Sequence, residues 1–211
     1  LIVVIGGLAV VSAAYWLQND DQKLKIAVLE KNQLDFGASG RNAGFITCGS
    51  TEHFIKLEKE FGLEKTLEIW KFSEDNRQLL LEHIIEDKAH EVDYRQTGSC
   101  TVAPSSEHWK TYQSTAQTMK NAGIDVHEVN AREMESDYGV TGFEGGIQFN
   151  GDGYIHPIKL LQRLRGKLKC DVHENTEVFS FAEKAGLQQL RTNQGVFETA
   201  KVVLTLNAYL P

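Results

Sequence analysis

The chain has 211 residues, and its 29 acidic residues outnumber its 22 lysines and arginines, which gives a formal charge of −7 at pH 7. With 41% hydrophobic and 24% charged residues, the composition is that of a globular protein and excludes wholesale disorder. The acidic balance, without a basic stripe, argues against a nucleic-acid partner. The length suits one large domain, or one domain with a second inserted into it.

The three cysteines, Cys48, Cys100 and Cys170, are widely spaced and form no C-x-x-C pair. No cluster of cysteines and histidines has metal-ligand spacing, so we predict no metal site and no redox dithiol. This cysteine usage favours reduced, mostly buried thiols in a cytoplasmic protein.

The first 17 residues are almost wholly apolar, so a membrane segment and a buried strand and helix must both be weighed. A spanning helix needs about 20 apolar residues, and a signal peptide begins with basic ones. The β-branched run 1–5, the pair Gly6-Gly7 and the helix-like run 12–17 are more typical of a strand, a glycine turn and a buried helix. We therefore expect no membrane association.

A second apolar strand, residues 23–30, ends at Glu30. Strand, glycine turn, helix, strand and acidic residue form the outline of a dinucleotide-binding βαβ unit. The turn would let the backbone approach a diphosphate, the helix start would offer N–H groups, and Glu30 would accept a hydrogen bond from a ribose hydroxyl.

The glycine fingerprint itself is incomplete. Gly6 and Gly7 are followed by Leu-Ala-Val-Val, so the turn is one residue short and Val10 or Val11 stands in place of the last glycine of G-x-G-x-x-G. A plain βαβ unit that binds no nucleotide therefore stays open at this point.

Residues 35–46, DFGASGRNAGFI, are rich in small side chains, which allow a ligand to lie against the backbone. Consecutive N–H groups in such a turn form an anion-binding concavity. Arg41 could add a charge-assisted contact, and Ser39 and Asn42 neutral ones.

Residues 28–46, VLEKNQLDFGASGRNAGFI, resemble the second FAD fingerprint of the D-amino-acid oxidase superfamily, in its glycine oxidase and sarcosine oxidase-like members. GASGRNAG is the specific part of this match. The resemblance continues through residues 91–103, 145–157, 176–178 and 191–211, and thus covers the chain but only about the first half of a typical member.

The resemblance implies an α/β fold: a Rossmann-like FAD/NAD(P)-binding domain with a parallel central sheet, plus part of an inserted α+β substrate domain. The implied division places residues 1–93 and 151–211 in a discontinuous FAD-binding domain and residues 94–150 in an incomplete segment of the substrate domain.

The implied cofactor is FAD, held non-covalently, because Arg41 and Asn42 occupy the place where some relatives carry a tethering histidine. The residues implied to hold FAD come from both glycine-rich bends, the end of the second strand and one later strand. They are Gly6, Gly7, Glu30, Lys31, Gly37, Ala38, Ser39, Arg41, Asn42, Ala43, Gly44 and Val178.

The implied activity is that of an FAD-dependent amine or amino-acid oxidase or dehydrogenase. It would oxidise a C–N bond of a small amine or amino acid to an imine, with the flavin reoxidised by O₂ or a carrier. Catalytic residues and the oligomeric state are not predicted. Two alternatives are a cofactor-free remnant of the fold, favoured by the short turn, and an NAD-binding module, which leaves GASGRNAG unexplained.

Helices are predicted by apolar periodicity in residues 51–90, 106–122 and 158–168, with Gly123 and Pro157 at the expected capping and first-turn positions. The apolar positions of the first segment are predicted to pack against a core: Phe54, Leu57, Phe61, Leu67, Trp70, Leu79, Leu80 and Ile84. His156 is interpreted as stabilising a turn, and Glu133 and Glu135 as a solvated helix face.

Overall fold

The computed structural model describes residues 2–206. Its helices are α1 (Leu8–Asp20), α2 (Thr51–Phe61), α3 (Leu63–Leu79), which continues into a π-helical turn (Leu80–Ile85), α4 (Ser106–Asn121), α5 (Ala131–Tyr138) and α6 (Pro157–Gly166). Its strands are β1 (Ile2–Ile5), β2 (Ile26–Leu29), β3 (Phe45–Ile46), β4 (Ser99–Ala103), β5 (Val126–Asn130), β6 (Gly145–Phe149), β7 (Gly153–Tyr154), β8 (Asp171–His173), β9 (Val178–Lys184), β10 (Leu187–Thr192), β11 (Gly195–Thr199) and β12 (Lys201–Leu204).

The chain divides into two compact units, residues 1–43 with 156–211, and residues 44–155. The boundaries predicted from the resemblance, after residues 93 and 150, differ from this contact-based division. The predicted division into an FAD-binding domain and a substrate-domain segment stays a prediction.

The first unit is built on a four-stranded parallel sheet in the order β12-β1-β2-β8. All four residues of β2 are buried, as continuous apolar strands of parallel sheets usually are. Helix α1 joins β1 to β2 and thereby completes the predicted βαβ unit. An antiparallel three-stranded sheet, β11-β10-β9, belongs to the same unit.

The second unit contains the antiparallel sheet β4-β6-β5, the ribbon β3-β7 and helices α2 to α5. Its core is centred on Trp70, whose ring lies edge-on to Phe54 and stacks on Phe149. The Tyr112 hydroxyl on α4 donates a hydrogen bond to Glu52 on α2 and so connects these two helices.

The predicted helical segments are confirmed, but the segment 51–90 is divided at Gly62 into α2 and α3, and its helical part ends at Ile85. Phe54 and Trp70 are buried as expected, whereas Phe61, the last residue of α2, and Leu79, where α3 passes into the π-helical turn, are exposed. His156 is the N-cap of α6, where its Nδ1 accepts a hydrogen bond from the Lys159 N–H at 3.5 Å.

Helix α5 carries the two glutamates that were interpreted as a solvated face, and both are exposed. Glu133 has a structural role as well, because it completes a capping box with Asn130 at the helix start. Within residues 2–206, no helix combines the length and apolar content that a membrane crossing requires.

Candidate cofactor-binding site

The turn between β1 and α1 consists of Gly6 and Gly7 alone. Gly6 has φ +132°, and a Cβ atom there would lie 2.7 Å from both the carbonyl oxygen and Oγ1 of Thr205. Its N–H points to the carbonyl oxygen of Leu29, 3.5 Å away at the end of β2. Position 6 therefore requires glycine, and the turn lies at the edge of the sheet where β2 also ends.

The start of α1 meets the second glycine-rich bend. The Leu8 N–H, the first of the helix, donates to Oγ of Ser39 at 2.8 Å. A Cβ atom on Gly7 would lie only 2.2 Å from that hydroxyl oxygen. The two bends that the sequence singled out thus converge, and the positive end of the α1 dipole is directed at the bend that carries Ser39.

The position of the missing fingerprint glycine is filled by side chains. Val10 and Val11 are both completely buried. In the usual fingerprint the last glycine lets the helix pack closely against the strand. Here, valine side chains occupy that layer, so α1 is held by side-chain packing rather than by close backbone approach.

Glu30 and Lys31 follow β2 directly and are joined to the segment that enters β9. Oε1 of Glu30 accepts from the Asn32 N–H at 2.9 Å, and its carbonyl oxygen accepts from the Thr176 N–H at 2.8 Å. Lys31 Nζ lies 2.6 Å from Oε1 of Glu177. Val178, the first residue of β9, follows Glu177 directly and is therefore placed near Lys31.

Residues 37–43 form two overlapping tight turns. The Gly40 N–H donates to the Gly37 carbonyl oxygen and the Arg41 N–H to that of Ala38, both at 3.2 Å. Asn42 Nδ2 donates to the carbonyl oxygens of Ala38 and Ser39, at 3.2 and 2.8 Å. The shape of the bend is thus fixed by its backbone and by Asn42.

Two further residues of the bend, Arg41 and Gly40, have contacts that the sequence did not reveal. The Arg41 guanidinium lies over the ring of Phe36, 4.8 Å from its centroid, in a cation–π contact. Gly40, which was not among the predicted site residues, requires glycine because a Cβ there would lie 2.1 Å from the Asp35 carbonyl oxygen.

Gly44 belongs to the second unit rather than to the first. It is buried at φ +72°, and its carbonyl oxygen accepts a hydrogen bond from the Ile155 N–H at 2.8 Å. Both ends of residues 44–155 therefore meet at one backbone hydrogen bond. Ala43, immediately before it, ends the exposed part of the bend.

These residues fit the nucleotide half of a dinucleotide cofactor. A glycine turn that tolerates no side chain, a helix start and the Glu30 carboxylate lie at the same edge of the parallel sheet, which is where such ligands bind. At the diphosphate end, the Ser39 hydroxyl already accepts the hydrogen bond of the Leu8 N–H.

Comparison with known proteins decides which family this site belongs to. The model of the family described as "FAD dependent oxidoreductase" (DAO) matches residues 2–211. The chain belongs to the DAO family of FAD-dependent oxidoreductases. The predicted family resemblance and fold class are confirmed. The NAD-binding alternative is abandoned, because residues 2–211 match a family of FAD-dependent proteins.

Two curated relatives and one solved structure illustrate the match to the DAO family. The chain is 26% identical to "Probable oxidoreductase OrdL" of Haemophilus influenzae and 25% identical to "Gamma-glutamylputrescine oxidoreductase" of Escherichia coli, in each case over 99% of this chain and 49% of the relative. Glycine oxidase from Geobacillus kaustophilus superposes with a TM-score of 0.77 at 19% identity, over 97% of this chain and 54% of that one. The chain thus spans about half the length of the relatives it matches.

For this DAO-family chain, membership supports FAD as the cofactor. When bound, FAD would be held by the edge formed by Gly6, Gly7 and Glu30, together with the bend around Ser39. The sequence alone did not reveal that Leu8 and Ser39 are hydrogen-bonded, because the contact joins residues 31 positions apart.

A buried polar cluster in the second unit also escaped the sequence analysis. Asp152 is only 2% exposed and accepts hydrogen bonds from the Ser99 hydroxyl at 2.6 Å and the Cys48 N–H at 3.4 Å. Arg77 lies 3.8 Å away. Burial raises the pKa of Asp152, although these three partners oppose that shift. The cluster ties the start of β4 to the segment between β3 and α2 and is structural.

The cysteines offer no activated nucleophile. All three are free thiols, and burial raises the pKa of Cys100 to about 11, so this thiol is protonated at neutral pH. Burial also raises the pKa of Cys48 and of Cys170. Within residues 2–206, no three His, Cys, Asp or Glu side chains are grouped so that they could hold a metal ion.

Proposed function

We propose that this chain forms the FAD-binding part of an oxidoreductase that oxidises a C–N bond of a small amine or amino acid to an imine, with O₂ or a carrier as the final acceptor. The observation that carries this proposal is the meeting of Gly7 with Ser39 at the sheet edge where Glu30 also lies. Enzymes named for glycine and for gamma-glutamylputrescine among the similar proteins support the substrate class.

FAD, when bound, would accept a hydride equivalent from the carbon next to the amine nitrogen. The contribution of this chain would be to bind and orient FAD. Glu30 would accept hydrogen bonds from the ribose hydroxyls of the adenosine, with Lys31 and the backbone of Val178 beside it. The turn at Gly6 and Gly7, which leaves no room for a side chain, would let the diphosphate approach the backbone beside the bend of residues 37–43.

The test is uptake of FAD by the purified chain, measured by the visible absorbance of protein-bound flavin after gel filtration. We expect a yellow protein, and Glu30→Gln should weaken FAD binding by about 10-fold to 100-fold, because a hydrogen bond to a charged group is worth roughly 1.5–3 kcal/mol. Glu183→Gln, which changes an exposed carboxylate on β9, is the matched control and should bind like the wild type.

A colourless protein that also ignores added FAD would show that the chain is a cofactor-free remnant. If flavin is bound, the flavin-loaded protein should be screened with sarcosine, glycine, proline and polyamine derivatives for bleaching of the flavin and release of peroxide. Bleaching with peroxide release indicates an oxidase, and bleaching that needs an added carrier for turnover indicates a dehydrogenase.

A further inference from the structure

A small cavity lies beside the buried Asp152 cluster of the second unit. Its volume is about 20 Å³, and Trp70, Arg77 and Asp152 contribute to its lining. A water molecule needs a cavity of roughly 10–15 Å³ or more, so this one has room for a single water and not for a larger ligand. All of its lining residues lie within residues 44–155, so its occupant is independent of FAD.

Trp70 brings a buried hydrogen-bond donor to this cavity. The residue is only 2% exposed, and its indole Nε1–H has no acceptor among the residues that the structure describes. The ring is held on both sides, because it stacks on Phe149 and a Cβ atom on Gly49 would lie 2.8 Å from its Cζ3. A buried N–H without an acceptor is strongly disfavoured, and this ring is not free to turn towards one, so an acceptor in the cavity is needed.

Arg77 and Asp152 line the same cavity without forming a direct hydrogen bond. Nη1 of Arg77 lies 3.8 Å from Oδ1 of Asp152, whereas an N–H···O hydrogen bond spans about 2.7–3.2 Å. Both groups are fixed, since Asp152 accepts a hydrogen bond from the Ser99 hydroxyl and a Cβ atom on Gly151 would lie 2.0 Å from Arg77 Nη1. Buried polar groups at such a distance suit a bridging water.

We propose that this cavity binds one water molecule, which accepts a hydrogen bond from Trp70 Nε1 and joins Arg77 to Asp152. Water suits the lining because it accepts from the two N–H donors and donates to the carboxylate, which gives it about the three hydrogen bonds that buried waters usually make. An anion would be repelled by Asp152 and by two further carboxylates of the lining, Glu74 and Asp125. A cation would meet the Trp70 N–H and the Arg77 guanidinium, which are donors and cannot coordinate it. The water thereby connects α3 to the turn between β6 and β7.

The test is a high-resolution crystal structure of the wild-type chain and of two variants. We expect one peak of electron density in the cavity that refines as water, about 2.7–3.2 Å from Trp70 Nε1 and from a carboxylate oxygen of Asp152. Trp70→Phe keeps an aromatic ring but removes the N–H, so the peak should be lost or should move away from residue 70. Trp109→Phe, which changes a partly buried tryptophan of α4 against the same core, is the matched control and should retain the peak. A cavity without density, a peak that marks an ion, or a direct hydrogen bond from Trp70 Nε1 to a protein acceptor would overturn the inference.

A second readout follows the same water in solution and needs only the wild-type chain. The chain has three tryptophans, Trp16, Trp70 and Trp109, so three indole N–H signals are expected in its proton–nitrogen NMR spectrum. A water held in the cavity should give the Trp70 indole proton NOE and ROE cross-peaks of opposite sign, because the contact lasts longer than the tumbling of the protein. Water that exchanges rapidly at a surface gives cross-peaks of the same sign. Cross-peaks of the same sign at Trp70, or none, would contradict the inference even if Trp70→Phe fails to fold.

Discussion

Replacement of Gly6 by alanine tests the geometry of the whole candidate site. Gly6 is buried at φ +132°, a conformation that costs an L-residue about 1–3 kcal/mol. Its new Cβ would lie 2.7 Å from the backbone carbonyl oxygen of Thr205, which cannot rotate away as a side chain can. Overpacking of this kind costs about 1–3 kcal/mol more. We therefore expect Gly6→Ala to lower the free energy of unfolding by about 2–6 kcal/mol in total.

The assay is equilibrium unfolding in urea, followed by far-UV circular dichroism, with FAD uptake measured in parallel. The matched control is Gly166→Ala in α6, where a Cβ would contact nothing within 4 Å. That variant should be as stable as the wild type or up to about 1 kcal/mol more stable, because alanine is the better helix former. A Gly6→Ala protein with an unchanged urea midpoint would refute the tight turn between β1 and α1.

Two further predictions concern one glycine of the second bend and one helix pair. Gly40→Ala should destabilise the chain by about 1–3 kcal/mol in the same urea assay, because its Cβ would lie 2.1 Å from the Asp35 carbonyl oxygen, whereas Gly37→Ala, with open space around its Cβ, should be nearly neutral. Equal effects of the two changes would contradict the geometry of the bend. Burial opposes ionisation of Glu52, but the hydrogen bond from Tyr112, the Glu52 backbone N–H and other contacts outweigh it, so the pKa of Glu52 is lowered from 4.5. This contribution to stability is present above pH 4.5 and is lost as the pH falls through the lowered pKa, so Tyr112→Phe should cost about 1 kcal/mol at pH 7 and less at pH 3. A cost that does not change with pH between these values would refute the role of the Glu52 carboxylate.

The parts of the fold that could be predicted are those that depend on the pattern of neighbouring residues in the sequence. The buried strand β2 and the turn at Gly6 were evident because continuous apolar runs and paired glycines are features of neighbouring residues. The helices were evident for the same reason. Phe61 and Leu79 were assigned to the wrong environment, since periodicity does not reveal where a helix ends or where it passes into a π-helical turn.

The parts that could not be predicted depend on residues far apart in the chain. Asp152 lies in an Asn-Gly-Asp-Gly stretch that is typical of an exposed turn. In the structure it is buried and accepts hydrogen bonds from Ser99 and Cys48. The contact of Ser39 with Leu8 likewise depends on how the short turn places α1. Composition and spacing can predict which residues belong to a binding site. The hydrogen-bond partner of each side chain depends on how distant parts of the chain pack together.

The hydrogen bond between the Ile155 N–H and the Gly44 carbonyl oxygen, next to the ribbon β3-β7, brings the two ends of the second unit together. A segment of more than a hundred residues leaves the parallel-sheet unit and returns to it at neighbouring positions. Such an arrangement lets the inserted segment be exchanged, lengthened or remodelled without any change in the register of β1 and β2, as insertions between adjacent chain positions are generally tolerated. A deletion of residues 44–155, with residues 43 and 156 joined by a short glycine-serine linker, would leave the rest of the parallel-sheet unit's covalent path intact. Changes within residues 44–155 therefore need not alter the pairing of the parallel strands.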